Sequence, residues 1–203
     1  MRIFTLIVCA LMLCVACDNK STTPTPKIAF VNTDITGIDY AQKFSLTDHQ
    51  GQARTLEDFR GKLVLLFFGY TQCPDVCPTT LSEMAQVMKL LDKDADKVQV
   101  LFVTLDPERD TPALLSRYVP SFYPSFLGLV GDKAATDEVV KEFKLFVQKI
   151  PAKTGSGYTI DHTAGSYLFD TQGHIRLFIR HGQGAEPIAQ DIRSLLSTTS
   201  DAK

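Results

Sequence analysis

KLVLLFFGYTQCPDVCP, residues 62–78, contains the clearest indication of the fold of this chain. Residues 62–70 form a run of mainly apolar residues, which is typical of a strand that is buried on both faces of a sheet. Pro78 suits the first turn of a helix, and apolar residues recur at helical spacing from there to Leu91. The sequence therefore predicts a buried strand, a turn with two cysteines and a helix in direct succession.

Strand and helix patterns alternate along the rest of the chain. Residues 44–46 and 52–54 flank a turn with Gly51, which predicts a hairpin on the N-terminal side. Further strands are predicted at residues 98–105, 127–130, 165–169 and 175–180, and further helices at residues 111–119, 136–146 and 186–196. This order predicts an α/β domain of thioredoxin-like fold, with a central mixed sheet flanked by helices and an extra N-terminal hairpin.

The N-terminal residues have the pattern of a signal peptide. Residues 3–16 are almost entirely apolar and follow Arg2, but these 14 residues are fewer than the roughly 20 needed to span a bilayer as a helix. Small residues precede Cys17, as they do at the cleavage site of bacterial lipoproteins. We therefore predict a signal peptide at residues 1–16 and a lipid on Cys17, with plain secretory cleavage near Ala16 as the alternative.

Two further regions follow the predicted lipid. Residues 18–27, DNKSTTPTPK, are polar and rich in Thr and Pro, so residues 17–36 are predicted to form a flexible tether. Residues 37–198 are predicted to form the thioredoxin-like domain. Asp18 resembles the signal that retains some bacterial lipoproteins in the inner membrane. We therefore expect the chain in the bacterial cell envelope, on the periplasmic side of the inner membrane and attached only by its lipid.

The composition and charge argue against some classes of partner. The 203 residues are 44% hydrophobic and 22% charged, which is typical of one globular domain. The net charge of −2 arises from acidic and basic residues that are mixed along the chain. This distribution is not that of a protein that binds nucleic acid or an anionic membrane surface, so neither partner is favoured.

Two cysteines remain for chemistry in the predicted mature chain. Of the five cysteines, Cys9 and Cys14 lie in the predicted signal peptide and Cys17 carries the predicted lipid, which leaves Cys73 and Cys77. In an oxidising compartment such a pair can form a structural disulfide, act as a redox pair or bind a metal.

The position and spacing of Cys73 and Cys77 favour a functional site. They follow a predicted buried strand and precede a predicted helix, where open α/β sheets place functional groups. Helix N–H groups favour the thiolate, so we expect a lowered pKa at least for Cys77. Three residues separate the cysteines, whereas the usual thiol–disulfide motif has two. A four-residue step puts both sulfurs on one face of a helical turn, where they can bind one soft ion such as Cu(I) or close a disulfide.

A metal site at this pair requires a histidine as its third ligand. The four histidines of the chain are His49, His162, His174 and His181. Two of them lie in predicted hairpin turns, where a solvated or turn-bonding role fits. His181 lies in a glycine-flanked loop and is the main competitor. His162 lies between a predicted loop at residues 151–158 and the strand at 165–169. Its spacing leaves a ligand role and a structural role equally open.

Three motifs in this order resemble the Sco/SenC family: CPDVCP at residues 73–78, LDPERDTP at 105–112 and DHTAGSYLFD at 161–170. The resemblance extends over residues 44–196. It implies a thioredoxin-like domain that binds one copper ion, Cu(I) or Cu(II), through Cys73, Cys77 and His162. It also implies a copper metallochaperone, rather than an enzyme, that acts in assembly of the binuclear copper site of cytochrome c oxidase.

The resemblance also implies partners and an alternative role. The first partner is the copper-receiving subunit of cytochrome c oxidase, and other periplasmic copper chaperones or thioredoxin-like reductants are further expected partners. The alternative is a thiol–disulfide reductase that uses Cys73 and Cys77 to keep the oxidase subunit cysteines reduced, or that senses redox state. A peroxidase is less favoured, because residues 74–76 do not supply the Thr-x-x-Cys setting of a peroxidatic cysteine.

Charged residues near these motifs have two interpretations. Asp75 and Asp161 are hypothesised to supply an oxygen to Cu(II) or to orient His162, although a solvated loop acid explains Asp75 as well. Glu108 and Arg109 are hypothesised to contact a partner. Turn formation and helix capping account for their neighbours in the same loop.

Overall fold

The computed structural model of the protein describes residues 29–152 and 157–200. The predicted signal peptide, the predicted lipid on Cys17 and most of the predicted tether lie outside the described residues. Within the part of the chain that the structure describes, no helix is long and apolar enough to cross a membrane.

The domain consists of ten strands and four α-helices within the described residues. The strands are β1 Thr33–Asp34, β2 Ser45–Asp48, β3 Ala53–Thr55, β4 Leu63–Gly69, β5 Val98–Thr104, β6 Leu127–Val130, β7 Val147–Pro151, β8 Tyr158–His162, β9 Gly165–Phe169 and β10 Ile175–Arg180. The helices are α1 Val76–Leu91, α2 Pro112–Tyr118, α3 Lys133–Glu142 and α4 Ala185–Ser200.

Eight of the strands form one mixed sheet in the order β1-β10-β9-β4-β5-β6-β2-β3. The central strands β4, β5 and β6 are parallel, and the remaining pairs in the sheet are antiparallel. The N-terminal hairpin β2–β3 extends the sheet beyond β6. This arrangement confirms the predicted fold class, a mixed sheet flanked by helices.

Strand β4 is buried along its whole length because both faces of the sheet are covered. Its odd-numbered residues pack into one core with α1, α2 and α4, and its even-numbered residues pack into a second core with α3 and the N-terminal hairpin. Each such side chain contributes about 1.5–3 kcal/mol on burial. The apolar run is therefore a strand buried on both faces of the sheet, as the sequence predicted.

The start of α1 and both ends of α3 differ from the predicted boundaries. Helix α1 begins at Val76, so Cys77 is inside the helix rather than before it. Helix α3 begins earlier than predicted because the Asp132 side chain accepts a hydrogen bond from the Ala135 N–H at 2.8 Å and caps the helix. It ends at Glu142, shortly before Lys144 takes a φ of 49°. Residues 143–146, which the sequence assigned to this helix, are therefore not helical.

The largest difference from the predicted fold is the hairpin formed by β7 and β8. These strands pair antiparallel, from Val147 opposite His162 to Pro151 opposite Tyr158, and form a separate two-stranded sheet. The sequence predicted a loop at residues 151–158, of which residues 153–156 lie outside the described residues. His162 is consequently the last residue of a strand, instead of the end of a loop.

Residues 31–36, which the sequence assigned to the tether, contact the domain. Strand β1 pairs with β10, and the N–H groups of Val31 and Asn32 each donate to a carboxylate oxygen of Asp191 at 2.8 Å. Asp191 is fully buried on α4. The partners lie about 160 positions apart in the chain, so no local pattern indicates the contact.

Candidate metal centre

The two cysteines lie at the carboxyl end of β4 and the start of α1. Cys73 is in the intervening turn, where its N–H donates to the Tyr70 carbonyl oxygen at 3.2 Å. Cys77 lies in the first turn of α1, and its N–H donates to Cys73 Sγ at 3.4 Å. Both side chains are free thiols. The four-residue step therefore brings the two cysteines together within one turn at this edge of the sheet.

The two thiols differ in burial. Cys77 is 0% exposed, whereas Cys73 is half-buried. Burial raises the pKa of the Cys77 thiol well above its ordinary value, and a hydrogen bond with the Tyr70 backbone lowers it by less. The expected lowering of the Cys77 pKa is wrong, because loss of hydration outweighs the helix N-terminus. A bound cation reverses this balance, since a coordinated thiol loses its proton.

Space for the Cys77 sulfur comes from Gly69, the last residue of β4. A Cβ atom at Gly69 would lie 2.8 Å from Cys77 Sγ and 2.9 Å from the Phe102 ring. Both distances are shorter than an ordinary van der Waals contact. Glycine at this position therefore lets the sulfur pack directly against the strand backbone.

His162, at the end of β8, faces Cys77. Its Nε2 lies 3.8 Å from Cys77 Sγ, and its Nδ1 lies 2.9 Å from the Thr163 carbonyl oxygen. Because a carbonyl oxygen only accepts, Nδ1 carries the proton and Nε2 presents its lone pair towards the sulfur. Burial lowers the pKa of His162 below its ordinary value. The imidazole is therefore neutral near pH 7, which is the form that binds metals.

The other three histidines have different neighbours. Their partners are the Gly128 N–H, 3.0 Å from His49 Nδ1; an Asp170 carboxylate oxygen, 3.7 Å from His174 Nδ1; and Thr80 Oγ1, 3.0 Å from His181 Nδ1. His181, the main competitor in the sequence, follows β10 and contacts α1. The structure therefore brings His162, and not these three, into contact with Cys77.

A cavity of about 340 Å³ opens beside Cys73, between the cysteine turn and β8. Cys73, Tyr70 and His162 are among its lining residues. Asp75 and Asp161 also line it and are exposed. The cavity therefore brings two of the three candidate ligands together with the two carboxylates that the sequence singled out.

The donor atoms fit a single ion only in part. Within residues 29–152 and 157–200, no three Cys, His, Asp or Glu side chains are arranged to hold a metal ion as they stand. Cys77 Sγ and His162 Nε2 are 3.8 Å apart. This separation is below about 4.3 Å, the combined length of the sulfur and nitrogen bonds of Zn²⁺. One ion can therefore contact both of these atoms, and Cys73 Sγ, 3.4 Å from the Cys77 backbone nitrogen, lies beside them.

A family model described as SCO1/SenC matches residues 32–197. The chain belongs to the SCO1/SenC family. This membership confirms the resemblance that the three sequence motifs indicated.

Individual members of the SCO1/SenC family are similar over most of this chain. The mitochondrial SCO2 homolog of Bos taurus is 39% identical over 152 residues, which are 74% of this chain and 57% of that protein. Copper-bound ScoI of Bradyrhizobium japonicum is 44% identical, with a TM-score of 0.69 over 75% of this chain and 97% of that one. Apo Sco1 of Thermus thermophilus is 36% identical, with a TM-score of 0.73 over 84% of this chain and 99% of that one. This chain spans just over half the length of the Bos taurus relative.

The second SCO1/SenC motif, LDPERDTP, supports the cysteine turn in a way that the sequence did not indicate. Asp110 is fully buried and accepts hydrogen bonds from the Thr71 N–H at 2.9 Å, Thr71 Oγ1 at 2.6 Å and Thr104 Oγ1 at 2.5 Å. Thr71 lies two residues before Cys73. Because Asp110 and Thr71 are 39 positions apart, periodicity and spacing give no signal for this contact.

Proposed function

We propose that this chain is a copper metallochaperone that binds one copper ion, as Cu(I) or Cu(II), through Cys73, Cys77 and His162. The observation that carries the proposal is the 3.8 Å approach of Cys77 Sγ to His162 Nε2 beside Cys73. Thiolate sulfur suits Cu(I), and imidazole nitrogen suits copper in either state. Membership of the SCO1/SenC family and the copper-bound ScoI relative support the choice of metal.

The chemistry of loading follows from the two thiols. Each cysteine gives up a proton when it binds copper, so uptake of one ion by both releases two protons. The buried Cys77 thiol keeps its proton until a cation replaces it, because its pKa is raised by burial. Cys73 is half-buried and lines the cavity. A thiol of a receiving protein therefore replaces Cys73 first when copper is handed over by ligand exchange.

The recipient that we propose is the copper-receiving subunit of cytochrome c oxidase, at its binuclear copper site. This part of the proposal rests on the family and on the three motifs. Other periplasmic copper chaperones and thioredoxin-like reductants are the further partners. A lipid on Cys17 would hold the domain on the periplasmic side of the inner membrane, close to a membrane-bound oxidase. Sequence alone supports that placement, together with the signal peptide at residues 1–16.

Anaerobic titration of the reduced protein with Cu(I) and Cu(II) tests the proposal. We expect one equivalent of either ion, and thiolate-to-Cu(II) charge-transfer absorption in the visible or near ultraviolet. His162→Ala should weaken Cu(II) binding strongly and Cu(I) binding less. His174→Ala, in an exposed turn, is the matched control and should change neither. Absence of stoichiometric copper, or unchanged Cu(II) affinity in His162→Ala, would overturn the proposal.

A thiol–disulfide reductase is the second candidate, favoured by the free and adjacent thiols of Cys73 and Cys77. The thiolate of Cys73 would attack a partner disulfide and form a mixed disulfide. Cys77 would then attack the Cys73 sulfur, which releases the reduced partner and leaves a Cys73–Cys77 disulfide. A thioredoxin-like dithiol must supply two electrons to restore the pair.

Variants of the candidate ligands separate the two roles in cells. A reductase requires Cys73 and Cys77 but not His162, whereas a chaperone requires all three. Oxidase activity that survives in His162→Ala and is lost in Cys73→Ser and Cys77→Ser would favour the reductase. Loss in all three variants favours the chaperone.

A further inference from the structure

The guanidinium group of Arg109 lies where three segments of the site meet. Arg109 belongs to the loop between β5 and α2, and its side chain is only 20% exposed. Its Nη1 donates to Gln72 Oε1 at 3.2 Å and to the Tyr158 carbonyl oxygen at 2.9 Å. Gln72 immediately precedes Cys73, and Tyr158 begins β8, the strand that ends in His162. One side chain therefore joins the cysteine turn to the histidine strand.

Aromatic and acidic groups hold this guanidinium group in place. Its central carbon lies 3.6 Å from the centre of the Tyr158 ring and 5.7 Å from that of Tyr70, close enough for cation–π attraction. Its Nε donates to Asp106, which is fully buried. The Tyr158 hydroxyl donates to the same carboxylate at 2.7 Å. Arg109, Tyr158 and Asp106 thus form a closed network, which we call the arginine clamp.

The β7–β8 hairpin depends on such contacts for its place. It is not hydrogen-bonded into the eight-stranded sheet, and an isolated two-stranded hairpin is marginally stable in water. Beside the arginine clamp, the Ile160 N–H donates to the Tyr70 hydroxyl at 3.2 Å, and Ile160 is buried. The position of His162 relative to Cys77 therefore follows from how β8 is held against the loops around it.

We propose that Arg109 is a positioning residue of the copper site, which sets the approach of His162 to Cys73 and Cys77. The proposal rests on the proposed copper-binding function. Arg109 does not bind the ion; it acts through Gln72 on one side and Tyr158 on the other. This role replaces the hypothesis of partner docking for Arg109, because a guanidinium group committed to these contacts is turned away from solvent.

The chemistry of arginine explains its use at this position. The planar guanidinium group carries five N–H donors in a fixed fork and can stack on aromatic rings while it donates to several acceptors. Lysine is a point charge on a flexible stem and cannot reproduce that geometry. Nη2 of Arg109 is buried without a hydrogen-bond partner, which is unfavourable for a residue that only fills space.

The two oxidation states of copper should respond differently to loss of the clamp. Two thiolates on one turn suffice for Cu(I), which prefers soft sulfur ligands. Cu(II) depends more on the imidazole nitrogen, and hence on the position of His162. A displaced hairpin should therefore weaken Cu(II) binding and change its absorption spectrum, while Cu(I) binding is retained.

The test compares Arg109→Met and Arg109→Lys with the wild-type protein. Because Arg109→Met leaves a buried carboxylate unpaired, a companion Asp106→Asn/Arg109→Met variant removes that charge as well. We expect Cu(II) affinity about 10-fold to 100-fold lower in both Met variants, as for other groups that orient metal ligands. Arg109→Lys should restore little of it. Arg117→Met, on the exposed face of α2, is the matched control.

Two further measurements separate positioning from general destabilisation. In a His162→Ala background, Arg109→Met should cause no further loss of Cu(II) affinity, because its effect passes through the missing ligand. Hydrogen exchange of the Ile160 and Thr163 amides, which donate to the Tyr70 hydroxyl and the Phe146 carbonyl oxygen, should become faster in copper-free Arg109→Met, while the amides of β4 keep their protection. The exchange measurement needs no copper.

The outcomes distinguish failure of the inference from failure of the proposed function. If the wild-type protein bound no copper, the proposed function would fail, and the exchange measurement would still decide whether Arg109 holds the hairpin. If the wild-type protein bound copper but both Met variants kept its Cu(II) affinity, spectrum and exchange rates, the positioning role would be refuted. If Arg109→Met failed to fold, Tyr158→Leu, which removes the stacked ring and the hydroxyl, would give the same comparison.

Discussion

The cysteine side and the histidine side of the site are held by different kinds of structure. The cysteine side consists of β4, the following turn and α1, and it is continuous with the central sheet and both cores. The histidine side is the small β7–β8 hairpin, held mainly by side-chain contacts. A rigid pair of sulfurs and a more adjustable nitrogen would suit the proposed copper chaperone, which binds an ion and then releases it.

The largest effect on stability is expected for Phe67→Ala on the cysteine side. Phe67 is a fully buried residue of β4 whose ring centre lies 6.0 Å from that of Phe102 and 6.3 Å from that of His162. Its truncation should lower the free energy of unfolding by about 3–5 kcal/mol, through lost burial and the cavity left behind. Urea denaturation measures this. A loss below about 1 kcal/mol would contradict a tightly packed cysteine side.

The next largest expected effect is that of Gly69→Ala. The added methyl group would lie 2.8 Å from Cys77 Sγ and 2.9 Å from the Phe102 ring, so one of them must move. We expect about 1–3 kcal/mol of destabilisation from overpacking, together with weaker copper binding. Urea denaturation and Cu(I) titration check both parts. A variant as stable as wild type that still bound one copper ion would show that the Cys77 sulfur is free to shift.

The stability of the fold should fall at low pH because of His162 on the histidine side, and at high pH because of Cys77 on the cysteine side. Burial lowers the pKa of His162 from its ordinary 6.5 and raises that of Cys77 from its ordinary 9.0. Below about pH 6.5 the unfolded chain gains a proton at His162 that the folded chain does not, so stability falls as the pH falls. Above about pH 9 the unfolded chain loses a proton that folded Cys77 retains, so stability falls as the pH rises.

Single substitutions should weaken one limb each of this pH profile. In the copper-free protein, His162→Gln should reduce the acid limb, to which His49 also contributes because burial lowers its pKa. Cys77→Ala should reduce the alkaline limb, and neither substitution should change the other limb. Thermal unfolding from about pH 5 to pH 10 measures both limbs, a range that spans the two ordinary pKa values. An acid limb that persisted unchanged in His162→Gln would assign it to other groups.

The smallest expected effect is that of Phe146→Ala, the counterpart of Phe67→Ala on the histidine side. Phe146 immediately precedes β7 and is 58% exposed. Its truncation should change the free energy of unfolding by at most about 0.5 kcal/mol, as for most exposed positions. The same urea denaturation measures it. A loss comparable with that of Phe67→Ala would remove the proposed difference between the two sides.

Local patterns predicted the cysteine side well. The apolar run of β4, the helical spacing of α1 and the paired β2–β3 and β9–β10 strands all have signals within about ten residues. The step from Cys73 to Cys77 likewise lies within the turn between β4 and α1 and the first turn of that helix. The pKa of Cys77 was predicted in the wrong direction, because spacing shows the helix N-terminus but not how deeply the sulfur is buried.

Contacts between distant segments were not predictable on the histidine side. Buried and exposed residues alternate only weakly along strands β7 and β8, and Ile160 is the one buried residue in them. The hydrogen bond from Arg109 to Tyr158 joins positions 49 apart, and that from Ile160 to Tyr70 joins positions 90 apart. The motif at residues 161–170 indicated that His162 belongs to the site. It did not indicate that His162 ends a strand, β8.

The unequal exposure of the two thiols has a consequence for oxidative damage. An oxidant reaches the half-buried sulfur of Cys73 before the enclosed sulfur of Cys77. The sulfenic acid formed on Cys73 can condense with the neighbouring Cys77 thiol, which releases water and leaves a disulfide that thiols can reduce. The Cys77 thiol therefore protects the Cys73 sulfur, because the disulfide forms in place of the irreversible sulfinic and sulfonic acids and can be reduced again.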